Sequence, residues 1–139
     1  MRFPFLAGHT AVLSAVCILL CLAPTGCGGK SATECRVLSI NVGPGAATVN
    51  HAAAPPGNTQ QFLAFVGSEP SGCSFAQSNL TTVVWSVSDP VNASISNVQG
   101  LTYGVATCKA ATAGTVIVTG TLSQTNFRDV SSTASLTCN

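Results

Sequence analysis

From Arg36 onward the chain is a series of short segments in which apolar and polar residues alternate with a period of two. An extended strand sends successive side chains to opposite faces, so this alternation suits half-buried β-strands and not helices. "RVLSINV" sets Leu38, Ile40 and Val42 on one face. "TQQFLAFV" sets Phe62, Ala64 and Val66 together, with Leu63 and Phe65 apolar on the other side. "TVVWSVS" aligns Val83, Trp85 and Val87, and "LTYGVATC" aligns Leu101, Tyr103, Val105 and Thr107. "TVIVTGTL" aligns Val116, Val118 and Gly120, and "TASLTC" aligns Ala134 and Leu136. Turn chemistry separates the runs: "GPG" at 43–45, "PPGN" at 55–58, "EPSG" at 69–72, "SDP" at 88–90 and "AG" at 113–114. About seven such strands, with no helical stripe between them, predict an all-β, antiparallel β-sandwich.

The first 26 residues read differently. Arg2 precedes the apolar run "AVLSAVCILLCLA", Ala11 to Ala23, which at 13 residues is short for a membrane span and suited to a secretory signal. "PTGCGG" follows, and Gly26 before Cys27 resembles the lipobox of bacterial lipoproteins, in which the signal is cut before a cysteine that is then acylated. Pro24 stands where that family usually has Leu, and Leu20 is too bulky for a cut before Cys21. The alternative is an ordinary cleaved signal that leaves Cys27 as a free thiol. The reading therefore divides the chain into a signal peptide (1–26), a lipidated Cys27 with a Gly/Ser-type tether (27–34), and one domain (35–139). The mature length of 113 residues, 27–139, suffices for one compact domain.

With Cys17 and Cys21 removed and Cys27 acylated, Cys35, Cys73, Cys108 and Cys138 remain. An even number in an exported chain predicts two disulfides, and the absence of any C-x-x-C element argues against a zinc site. Lys30, Arg36, Lys109 and Arg128 balance Glu34, Glu69, Asp89 and Asp129, so the mature chain has no net charge. Such a chain lacks the basic surface that nucleic acid requires, and no nucleic-acid partner is expected.

The segment "VVWSVSDPVNASISNVQGLTYGVATCKAATAGTVIVTGTL" resembles the bacterial immunoglobulin-like group 2 domain. The resemblance covers about Val37 to Thr137, strongest from Val83 to Leu122, and implies an immunoglobulin-like antiparallel β-sandwich of about seven strands. It lies in a strand ending W-S-x-S-D-P, a segment ending N-x-x-G-L, a G-V-A turn region and an alternating strand after A-G-T. The 67–80 segment, "GSEPSGCSFAQSNL", is longer than that family's loop, and four cysteines are not general in it. In the resembled family the position of Trp85 is core, and Trp85 is expected to plug the core with its N–H given to a backbone carbonyl. In such a sandwich the loops alternate between two poles. That favours Cys35–Cys73 and Cys108–Cys138, with Cys73–Cys108 and Cys35–Cys138 as the alternative.

Few residues suggest chemistry. His51 lies in an Ala/Pro-rich connection, Asp89 in a turn, and no nucleophile elbow, zinc helix, phosphate loop or calcium loop occurs. No enzymatic activity and no cofactor or metal are expected. Two N-glycosylation patterns, Asn79-Leu80-Thr81 and Asn92-Ala93-Ser94, are incidental to turns in a bacterial lipoprotein. The resemblance implies a non-catalytic cell-envelope lipoprotein, membrane-bound through its lipid, that presents one domain for adhesion, cohesion or scaffolding to a protein or glycan. Leu63, Phe65 and Ile117 hint at an apolar sheet face. Gly28 lacks the Asp that retains many lipoproteins in the inner membrane, which points to the outer membrane. The alternative is a small polysaccharide- or ligand-binding module using the 67–80 loop, with Phe75 as its contact.

Overall fold

The computed structural model describes residues 34–139; the leader run, Cys27 and the rest of the tether to Thr33 lie outside the described residues. Nine strands follow one another with no helix between them: β1 (Ser39–Gly43), β2 (Ala46–Val49), β3 (Thr59–Gln61), β4 (Leu63–Ser68), β5 (Val83–Val87), β6 (Ala93–Ile95), β7 (Val105–Cys108), β8 (Val116–Leu122) and β9 (Val130–Cys138). One sheet has the order β2-β9-β8-β5, and the others are β1-β4 and β3-β7-β6. β3 and β4 are halves of one run interrupted at Phe62, whose amide donates to the Gly104 carbonyl at 2.8 Å. The run pairs first with β7 and then with β1, so the two smaller sheets make a single layer. The order β1-β4/β3-β7-β6 over β2-β9-β8-β5 is that of an immunoglobulin-like sandwich.

Alternation along the strands turns one face of each layer inward. Ile40, Val42, Ala64, Val66, Ala106 and Cys108 meet Val83, Trp85, Val116, Val118, Ala134 and Leu136, with Phe62 fully buried between them. Trp85, 3% exposed, lies opposite Gly120 in the β5–β8 ladder. A Cβ on Gly120 would stand 3.1 Å from the indole and 3.0 Å from Val83, so any side chain there would crowd the ring. Burying so large an aromatic surface contributes a few kcal/mol, roughly 25 cal/mol per Å² of apolar area.

Several sequence expectations are corrected here. The sandwich is not wholly antiparallel, because β2 runs parallel to β9. After Gly43-Pro44 the first strand leaves β4 and continues on the opposite layer in the same direction, which makes β2. Leu38 is 44% exposed and not inward. A register irregularity between Ser39 and Ile40 shifts the phase, and Val37 is buried instead. On the strand read as "LTYGVATC", Tyr103 is buried, but Leu101 is 97% exposed, and Ala106 and Cys108 face inward in place of Val105 and Thr107. Gly104, at φ +74°, breaks the alternation between Tyr103 and β7. The indole N–H of Trp85 finds no backbone carbonyl; it has no hydrogen-bond partner among the described residues, and the edge of Tyr103 packs against the ring at 6.3 Å between centroids. Leu63 and Phe65 are half-buried, which leaves Ile117 as the exposed member of that apolar set.

Gly104 is the most constrained backbone position, since a Cβ there would lie 2.3 Å from the Phe62 carbonyl oxygen. Gly104→Ala is expected to destabilise the domain by about 2–4 kcal/mol, read as a lower urea midpoint with an unchanged slope.

Candidate functional site

Strand directions gather the segment before β1, the β4–β5 loop, the β6–β7 loop and the β8–β9 turn at one end of the sandwich. This is the end at which the chain from Glu34 enters the domain, and several bonds fix its loops. Cys35 is bonded to Cys73, with Cα atoms 5.5 Å apart. Within the long 69–82 loop, Glu69 accepts the Phe75 amide at 2.8 Å and Leu80 donates to the Ala64 carbonyl at 2.7 Å. The Asn79 side chain accepts the Ala64 amide at 3.1 Å. Phe75 is half-buried and packs against the core, so its ring is not presented as a free platform.

Two amide side chains close backbone edges at this end. Asn97 accepts the Trp85 amide at 2.7 Å and donates to the Trp85 carbonyl at 3.0 Å. Gln124, from the β8–β9 turn, does the same to Val37, at 2.7 Å and 2.9 Å. β5 is the last strand of its sheet, and its outer edge is covered further by the Gln99 side chain on the Thr81 carbonyl and the Tyr103 hydroxyl on the Val83 carbonyl. Burial, first of all, raises the Tyr103 phenol above its ordinary pKa. An open strand edge invites pairing with another chain, and these side chains occupy it.

Between the β1 entry and the β8–β9 turn lies an open cleft of about 380 Å³, lined by Arg36, Leu38, Asn126, Phe127, Arg128 and Val130 among others. The Arg36 guanidinium lies 5.3 Å from the centre of the Phe127 ring, a cation–π distance. At the same end, but at the opposite lateral edge where it covers β5, the β6–β7 loop projects Leu101 and Val98, the latter 69% exposed.

The opposite end carries Cys108–Cys138, with Cα atoms 5.6 Å apart. There the Asp89 carboxylate accepts from the Asn92 side-chain amide at 2.8 Å, the Asn92 N–H at 3.1 Å and the Val91 N–H at 3.2 Å. These bonds, the Asn92 side chain foremost, hold its pKa below the usual 3.8. Asp89 is thus a turn residue, as its Ser-Asp-Pro context suggests. His51 bonds the Asn139 carbonyl through both its amide and its ring. Of the two glycosylation patterns, Asn79 is engaged with Ala64 and Asn92 with Asp89. Among the described residues no three His, Cys, Asp or Glu side chains gather at metal-binding distance.

The outer face of the four-stranded sheet differs from both ends. Ser86, Thr119 and Thr133 form one in-register row across three strands, and Thr121 and Ser131 begin the next beside Val84. It bears hydroxyls and methyls but no charged side chain. Sequence reasoning singled out neither the cleft nor the amide locks. Arg36, Asn97, Gln124 and Arg128 are far apart in sequence, and only strand topology makes them neighbours of their targets. Compared with known proteins, the chain matches no family model and no curated protein.

Asn97→Ala removes both bonds to Trp85 and is expected to cost about 1–3 kcal/mol in chemical denaturation, with faster aggregation from the opened β5 edge. The Asp89 contribution has a definite pH sign. The folded value is depressed, so its stabilisation is present above the unfolded value of 3.8 and lost as pH falls through the folded value. Asp89→Asn is expected to flatten the acid limb of the stability–pH curve, measured by thermal melts from about pH 5 downward.

Proposed function

We propose that the chain is a non-catalytic lipoprotein of the bacterial cell envelope. In this reading acylated Cys27 holds a single immunoglobulin-like domain of the bacterial group 2 kind, which serves as a spacer, scaffold or adhesive module. The observation that carries the reading is the pair of disulfides closing opposite ends of a small β-sandwich. Such bonds belong to an oxidising compartment outside the cytoplasm. Among the described residues no helix is long and apolar enough to cross a membrane. A lipid on Cys27, seven residues before the domain's first described residue, Glu34, supplies the attachment, and Gly28 after it favours the outer membrane.

A glycan-binding role for the 67–80 loop has less support, because Cys73 and Glu69 hold that loop down and Phe75 packs inward. The uncharged hydroxyl face of the four-stranded sheet is also open to a neutral partner. That step from fold to role rests on analogy.

Metabolic labelling with palmitate tests the central claim. The wild-type chain is expected to take up label and partition with membranes. Cys27→Ser is expected to lose the label. An unlabelled wild-type chain overturns the lipoprotein reading.

A further inference from the structure

The geometry points to a membrane-docking surface at the end of the domain where the tether enters. It takes the phosphate-bearing headgroup layer of the same bilayer that holds Cys27. The inference rests on the reading of Cys27 as the acylated residue.

Three observations converge on this end. The described residues contain three Lys and Arg side chains, and two of them, Arg36 and Arg128, line its cleft. The third, Lys109, follows β7 at the opposite end, where its ammonium donates to the Pro90 carbonyl at 3.2 Å. The most exposed large apolar side chain, Leu101, also lies at this end, together with Val98 and Leu38. A leucine left almost wholly in water has no role in packing the domain it belongs to. Guanidinium forks pair with phosphate oxygens, while leucine and valine enter the boundary between headgroups and acyl chains.

The third observation is the reach of the chain. Cys27 and Cys35 are eight residue steps apart, which spans at most about 28 Å when fully extended. The docking surface is therefore confined near the headgroups whatever the tether does, at high effective concentration. Confinement matters because Glu34, Glu69 and Asp129 share this end with the arginines, so no long-range field draws it to the membrane. Contacts individually too weak to recruit a free protein suffice to orient a tethered one. The sandwich then stands on the bilayer with Cys108–Cys138 and the Asp89 turn pointing away from it.

The test uses the full chain, purified from membranes and reconstituted into phosphatidylethanolamine–phosphatidylglycerol vesicles whose acyl chains carry bromine. Trp85 is buried in the core, so bromine reports on an introduced indole. Leu101→Trp is expected to lose emission in brominated vesicles, whereas Val91→Trp, at the far end, keeps it. Adding Arg36→Gln and Arg128→Gln to the Leu101→Trp chain is expected to restore emission. Equal emission from positions 91 and 101 in a vesicle-bound chain overturns docking and leaves the anchor standing. Quenching that survives loss of both arginines overturns their pairing with phosphate. A chain that does not sediment with vesicles overturns the anchor and the docking together.

Discussion

The indole of Trp85 packs closely against two neighbouring positions that carry no side chain. Gly120 lies beneath the ring in the adjacent strand, and Gly104 lies beside it, where any Cβ would meet the Phe62 carbonyl and come within 3.4 Å of the indole. The same Gly104 accepts the Phe62 amide, and Phe62 is where the β3–β4 run passes from one partner strand to another. The largest core side chain, the break that joins two sheets into a layer and the phase change before β7 thus depend on one small region. A substitution there disturbs both layers, since neither can close over the ring without the other.

Much of this was legible in the sequence, for identifiable reasons. β5, β8 and β9 each alternate without interruption, so their inner faces could be read directly from Val83 and Trp85, from Val116 and Val118, and from Ala134 and Leu136. The phase departs from simple alternation where backbone geometry interrupts the period: at the irregularity before Ile40 and at left-handed Gly104. β2 and β6 left little pattern, being short and built on Ala46, Ala47 and Ala93. A parallel strand supported by alanines gains its place from β9 rather than from its own periodicity.

The amide locks and the arginine cleft were not legible at all. Gln124 and Val37 lie 87 residues apart, and nothing in either segment advertises the other. Asn97 appears in sequence as one more polar loop residue, yet it substitutes for a missing neighbour strand at Trp85. Side chains that satisfy edges are chosen by tertiary position, so periodicity cannot find them. Any functional surface built from the same loops is hidden from sequence for the same reason.

The placement of the two disulfides also settles how the domain bears load. A pull between residues just before Cys35 and just after Cys138 passes through sulfur from Cys35 to Cys73, and again from Cys108 to Cys138. The chain inside each closed loop, including β1 to β4, β8 and β9, is shielded from extension. Only the backbone between Cys73 and Cys108 can be drawn out, which is 35 residue steps. At about 3.5 Å per step that limits added length to roughly 120 Å, however hard the pull, less the distance those two points already span in the fold. A module built this way behaves under tension as a short leash with a hard stop.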